Sequence, residues 1–268
     1  MSGLRISIVT PSYNQGRFIE RTIESVLDQR GPFDLEYLVM DGGSEDGTLE
    51  ILRKYNGRLD WESASDKGQV DAINKGLRRV TGDIVGWLNS DDLLAPGALE
   101  KVAEVFSGRP EIEWVHGRCE IIDADDRLIR RGVSAYKDWR CRRYSYARLL
   151  NENFISQMTV FWRRAILEET GLLDPNLNLA FDYDLWLRFG KRNDPVYIPE
   201  LIAFFRWYET SKSGANFIAQ FAEDFAVAQK HGLSGKWMSL RKRMKTAQIL
   251  AVYRLMRWRR AFGAERAD

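Results

Sequence analysis

Four short apolar runs fill the first 88 residues, and each ends in a polar turn that leads into a segment of helical period. Arg5–Thr10, Leu35–Met40, Leu59–Ser63 and Ile84–Leu88 read as strands. Between them Ile19, Ile23, Val26 and Leu27, then Leu49, Leu52 and Tyr55, then Val70, Ile73, Leu77 and Val80 recur at helical spacing. Such alternation predicts βαβ units, a parallel sheet and right-handed crossovers. In open sheets of this kind ligands bind outside the carboxyl ends of the strands. The polar turns there are where chemistry is to be sought.

The fourth run delivers Asn89-Ser90-Asp91-Asp92 to its C-terminal end. Adjacent carboxylates repel each other unless something positive sits beside them. A hard divalent cation, Mg²⁺ or Mn²⁺, shared with substrate phosphates is the natural neutraliser. Taken alone, the pair equally suits a helix-entry cap before Pro96. Asp41-Gly42-Gly43-Ser44 follows the second strand, where Asp41 could accept from a base or ribose; an ordinary turn explains it as well. Lys67 could meet a phosphate, against a solvated surface lysine. Asp71 and Asn74 stand three apart on one helix side, which fits a cleft-facing pair or plain exposed polar residues. Asp182 opens a helix, the usual place for a cap. Free N–H groups at helix starts favour anions, and a nucleotide diphosphate suits them. The first turn lacks the G-x-G-x-x-G spacing, which argues against a dinucleotide site, and no Walker A sequence is present.

The chain's 268 residues suit one large α/β domain or two small ones, and 44% apolar content supplies a sizeable core. Cys119, Cys141, His116 and His231 are too few and too scattered for disulfide or zinc frameworks. Met1–Arg5 shows no leader pattern and no apolar run approaches ~20 residues, so a cytoplasmic placement is expected. After Glu111 the pattern changes. Ile112–His116, Arg118–Ile122 and Gln157–Trp162 read as shorter strands, 134–155 as loop with a short helix, and Tyr183–Lys191 as a helix.

Together, the segments Ser7–Asn14, Asp41–Thr48, Asp66–Gln69, Asp71–Gly76, Thr81–Asp83, Asn89–Asp92, Gln157 and Asp182–Arg188 resemble, in order and spacing, the family 2 glycosyltransferases. The likeness covers residues 4–215. It implies an α/β, GT-A-type, Rossmann-like mixed sheet flanked by helices, and an inverting transferase acting on a nucleoside diphosphate-sugar, most simply a UDP-sugar. By that resemblance Thr10, Pro11, Tyr13 and Asp41 hold the nucleoside, with Lys67 on the nucleotide side. Asp91 contacts ribose or the metal shell, and Asp92 binds the metal. Asp182 is the general base, while Asp71, Asn74 and Gln157 belong to the acceptor or cleft side. Three departures stand out. Gly42 replaces a second acid, Phe181 stands where an acid often precedes the base, and Tyr208 occupies the place of a frequent histidine. These breaks keep a non-catalytic sugar-nucleotide or glycan-binding module open. A nucleotidyltransferase is the nearer alternative, although Pro11–Gly16 has no basic residue.

From Lys236 to Asp268 ten basic residues face two acidic ones, a balance of +8 that leaves the preceding residues at −6 against the net +2. The chain is therefore expected to divide into a catalytic domain, 1–230, and a basic amphipathic helical extension, 231–268. Basic helices with Trp at the polar–apolar boundary lie on anionic membrane surfaces, here the inner face. A packed helix or a protein partner is the competing reading. Nucleic acid is disfavoured by the acidic body. The leading expectation is transfer of a sugar to a glycan or lipid-linked acceptor in cell-surface polysaccharide synthesis.

Overall fold

The computed structural model describes residues 3–212 and 217–234, together with residues 240, 242 and 244. β1 (Leu4–Ser12) pairs in parallel with β2 (Phe33–Asp41) and with β4 (Ile84–Trp87), and β2 pairs in parallel with β3 (Asp60–Ser63). The helices between them are α1 (Ile19–Leu27), α2 (Thr48–Lys54) and α3 (Gln69–Arg79). Successive strand residues point to opposite faces. Val9, Val85 and Trp87 accordingly enter one apolar layer, with Val70, Ile73 and Leu77 of α3. Ile6, Ile8 and Ile84 enter the other, with Ile19, Ile23 and Val26 of α1. Helix α3 lies so close to β1 that a Cβ on Gly76 would stand 2.4 Å from Val9 Cγ1, which is why no side chain is tolerated there.

Beyond β4 the sheet becomes mixed, as the family resemblance implies, while the βαβ units before it are parallel. Its elements are β5 (Leu93–Leu94), α4 (Ala98–Gly108), β6 (Trp114–Ile122), β7 (Leu128–Ile129), α5 (Arg131–Cys141) and α6 (Tyr146–Asn151). There follow a 3-10 turn at Gln157–Thr159, β8 (Phe161–Arg163), α7 (Ile166–Thr170), α8 (Phe181–Arg192), β9 (Val196–Arg206) and α9 (Phe217–Lys230). The strand order is β3-β2-β1-β4-β8-β6-β9-β5, with β7 on β6. β8 runs antiparallel to both β4 and β6, while β6 and β9 are parallel. The two strands expected at 112–122 are one strand, whose register against β9 shifts at Gly117–Cys119. Gln157–Trp162 is a 3-10 turn followed by a short strand, because the Thr159 hydroxyl donates back to the Ser156 carbonyl. The stretch 134–155 carries two helices. Helix α5 escapes apolar counting because its buried face includes Ser134 and Arg140, the latter in an ion pair with Glu152 at 3.1 Å.

Helix α8 is seated on a tryptophan stack. The Trp186 ring stacks nearly parallel to those of Trp87 and Trp114, at centroid separations of 5.4 and 6.2 Å. Aromatic burial of this extent fixes the start of α8 above the end of β4. Past residue 230, His231, Leu233 and Lys242 are buried against the body. Most of the basic extension lies outside the described residues. Among those described, no helix is long and apolar enough to cross a membrane.

Candidate active site

The carboxyl ends of β1, β2 and β4 open on a cavity of about 1210 Å³. Its far wall is built by α5, residues 151–158, the start of α8, residues 205–212, α9 and Lys242. Strand ends thus face the elements that follow the fourth strand, the arrangement open α/β sheets use for ligands.

Asp91 and Asp92 turn in opposite senses. Asp91 lines the cavity, and its Oδ2 accepts from the Tyr208 hydroxyl at 3.0 Å. Asp92 is fully buried and lies outside the lining; its Oδ1 accepts from Arg206 N at 2.9 Å and its Oδ2 from Asn89 Nδ2 at 3.1 Å. Burial pushes the Asp91 carboxyl above the ordinary range, with Tyr208 and Arg206 opposing. Burial, then repulsion from Asp91, pushes Asp92 well above it. The counter-charge is Arg206, 1% exposed, whose guanidinium donates to the Asp91 and Asp123 carbonyls and pairs with Asp126 at 2.5 Å. Tyr208, in the expected histidine position, packs on Phe18 at 5.1 Å and aims its hydroxyl at Asp91.

The nucleotide-side residues divide in the same way. Pro11 and Tyr13 line the cavity, Tyr13 with 61% of its surface exposed. Thr10 is buried behind them against the Tyr37 hydroxyl at 3.1 Å. The Asp41 carboxylate is consumed by its own turn, accepting from Ser44 N, Ser44 Oγ, Gly43 N and Ser63 Oγ at 2.5–3.1 Å. Asp66 faces the cavity instead. A Cβ on Gly42 would stand 2.7 Å from Asp66 Oδ2, so the space of the missing second acid is filled by a carboxylate from the next turn. Lys67 is exposed and outside the lining, and its backbone N–H donates to Asp71 Oδ2 at 3.1 Å.

Two residues expected at the cleft point elsewhere. Asp71 pairs with Lys75 one turn along α3 at 3.0 Å. Asn74 clamps Leu173, donating to its carbonyl at 2.9 Å and accepting from its N–H at 3.0 Å. Gln157 does line the cavity, tied to the Trp87 carbonyl at 2.7 Å and to Asn89 Nδ2 at 3.0 Å.

Asp182 lines the opposite arm, in the first turn of α8. Its Oδ1 accepts from Tyr183 N at 2.7 Å, and Asn153 also bonds it. Burial raises its carboxyl to about 6, against the pull of those bonds and of Lys137. A carboxylate poised near neutrality on a cavity wall can take a proton from a hydroxyl. Asp66 and Asp224 line the cavity and Arg206 braces the Asp91–Asp92 turn, and sequence reasoning selected none of the three as a candidate. Gly42 was a signal for Asp66; nothing local marks Asp224. Among the described residues no three of His, Cys, Asp or Glu cluster as a metal-holding group.

Comparison with known proteins bears on the family and the fold. The putative teichuronic acid biosynthesis glycosyltransferase TuaG of Bacillus subtilis is 30% identical over 242 residues, covering 87% of this chain and 92% of that protein. Two longer relatives, 31% and 32% identical, are matched over only 26% and 40% of their own lengths. The fold superposes on S. aureus TarS 1–349 in complex with UDP-GlcNAc, with a TM-score of 0.64, 17% identity, and coverage of 92% of this chain and 72% of that one. It also superposes on the mannosyltransferase PcManGT from Pyrobaculum calidifontis in complex with GDP-Man and Mn²⁺, with a TM-score of 0.58, 18% identity, and coverage of 96% and 81%. The model of glycosyl transferase family 2 matches residues 7–171, well over half of the chain, and the chain belongs to that family.

Proposed function

We propose that this chain moves a sugar from a nucleoside diphosphate-sugar to a hydroxyl of a saccharide or lipid-linked acceptor, with inversion, in cell-surface polysaccharide synthesis. One observation carries the reading: a single cavity joins the strand-end turns that suit a nucleotide to Asp182 on the facing wall. The names of the TuaG relative and of the two sugar-nucleotide complexes support the same class of donor and product.

Tyr13 offers an exposed ring on which a base can stack, and Asp66 offers a carboxylate to the base edge beside Gly42. Such a carboxylate suits a base with a ring N–H donor, which uracil and guanine both present; a UDP-sugar, the donor expected from the family resemblance, is of this kind. Asp182 takes the proton from the acceptor hydroxyl as that oxygen attacks the anomeric carbon in line, and the nucleoside diphosphate departs. Lys212, over Phe181 at 5.4 Å and bonded to Gln69 at 3.0 Å, adds positive charge to the cavity wall.

The residues present fit a divalent ion. Two buried carboxylates held above their ordinary range, with Arg206 as the counter-charge, would be relieved by a hard cation. Asp91, on the cavity, would hold it together with substrate phosphates. Asp92 would fix the turn through Asn89 and the Arg206 backbone, a division that departs from the expectation from sequence. Mg²⁺ or Mn²⁺, when bound, supplies Lewis-acid stabilisation of the leaving diphosphate. The basic extension is assigned to an anionic membrane surface on its composition alone.

The decisive test is a panel of UDP- and GDP-sugars with Mg²⁺ or Mn²⁺, read by release of nucleoside diphosphate and by transfer to added acceptors. Release and transfer from one donor, lost in Asp182→Asn, are expected. Tight nucleotide binding without release from any donor would make the chain a binding module.

A further inference from the structure

The arm that carries Asp182 holds a second carboxylate that the proposed reaction does not use. Asp224, on α9, lines the same cavity and is 7% exposed, and its Oδ1 has no hydrogen-bond partner among the described residues. An anionic oxygen so buried is costly unless a donor reaches it. Its position is built in. The neighbouring Glu223 accepts from the backbone N–H groups of Asn178, Leu179 and Ala180 at 2.9, 2.5 and 2.6 Å. Those residues form the turn that enters α8, so α9 is tied to the chain two residues before Asp182.

The charged and titratable surroundings do not satisfy Asp224. Lys137 of α5 donates to Ser156 Oγ at 3.1 Å, and Lys242 donates to the Leu150 carbonyl at 3.2 Å and the Tyr183 hydroxyl at 3.1 Å. Lys212, Glu152 and Glu223 complete the group.

We propose that Asp224 is an acceptor-binding residue: its free oxygen takes a hydrogen bond from a second hydroxyl of the same sugar whose reacting hydroxyl faces Asp182. The inference rests on the glycosyl-transfer reading and extends it to the acceptor, which must be a saccharide carrying at least two hydroxyls at the reacting end. Consistent with two carboxylates lining one cavity, burial and then repulsion from Asp182 push Asp224 up to about 7.

The test uses the full chain labelled with ¹³C at aspartate Cγ, saturated with UDP, and titrated with methyl pyranosides of common hexoses. Both the Asp182 and Asp224 resonances are expected to move on addition of at least one pyranoside. Asp224→Asn is expected to weaken that binding about tenfold, leave UDP affinity within twofold, and lower the titration midpoint of Asp182. An Asp224 resonance unmoved while Asp182 responds, or equal pyranoside affinity in Asp224→Asn, overturns the proposal. The wild-type titration decides this even where a variant folds poorly. Pyranoside binding through Asp224 without any UDP affinity would keep the saccharide contact and overturn the transferase reading. UDP binding with a pyranoside response indifferent to Asp224→Asn would do the reverse.

Discussion

At the scale of single residues, the chemistry turns on carboxylates held above their ordinary range. In the base role proposed for it, Asp182, raised by burial to about 6, acts only when ionised, so the acid limb of turnover should fall near pH 6. Asp182→Asn should lose at least about a thousandfold in turnover with donor affinity retained. A donor affinity that falls in parallel would move Asp182 to the donor side. The stability sign is the reverse of the usual carboxylate case. Asp182 and Asp224 hold protons more tightly folded than unfolded, so their contribution to stability falls as pH rises from about 4 through about 7. Asp224→Asn should therefore raise the thermal midpoint at pH 8 relative to the wild type, and by less at pH 4. The NSDD turn gives a second residue-scale prediction. Asp91→Asn should cost about a hundredfold in Mn²⁺-supported turnover with the melting temperature little changed. Asp92→Asn should show in thermal melting, because its carboxylate bonds Arg206 N and Asn89. The opposite pattern would return the metal to Asp92. That two adjacent acids stand at the end of the fourth strand was legible in the sequence; which of them faces the cavity depends on Arg206 and Tyr208, more than a hundred residues away.

At the scale of elements, α8 and α9 are joined by a buried charge cluster beneath the acceptor arm. Burial pushes Asp184 upward, but the bonds from His231 at 2.8 Å and Arg188 at 2.9 Å, with Lys230, outweigh it and hold the carboxyl near 2. A lowered carboxylate contributes stability at neutral pH, and that contribution is lost as pH falls from about 4 toward 2. Asp184→Ala should cost about 3 kcal/mol at pH 7, because it strands buried partners, and less at pH 3. Exposed Lys230 adds little to that figure. Urea unfolding of both proteins at the two pH values checks it; an equal cost at both would make the residue a packing element. The strand–turn–helix units through β4 were legible because each is local, with period and turn chemistry in adjacent residues. Helix α5 was not, since it buries Arg140 and Ser134 where a stripe of Leu or Ile would have announced it. The Asn74 clamp on Leu173 and the Asp71 pair with Lys75 turn polar residues that look cleft-facing in sequence into fasteners.

At the scale of the whole molecule, two apolar layers sandwich the sheet, and the cavity opens where β1, β2 and β4 end. The strand-end turns on one side of the cavity were readable from segments in order. The facing wall was not, because α5, α8, α9 and Lys242 meet only through folding. Lys242 has a bearing on the basic extension. Burial lowers its ammonium to about 8, against the pull of Asp224, and it spends donors on Leu150 and Tyr183. One cation of the extension is thus committed to the cavity wall, and the other eight basic residues between Lys236 and Arg260 lie outside the described residues. Each basic residue near an anionic bilayer is worth about 1 kcal/mol, and salt screens it. The full chain should float with vesicles rich in phosphatidylglycerol or phosphatidylserine at low salt, lose most of that binding at 0.5 M NaCl, and ignore neutral phosphatidylcholine. Replacing Arg254, Arg257, Arg259 and Arg260 by Gln should abolish flotation. Lys242→Met should leave flotation intact while weakening any acceptor sugar that reaches Asp224, because it removes a neighbouring positive charge. Full-length protein that stays unbound at low salt would assign the basic residues to packing or to a protein partner.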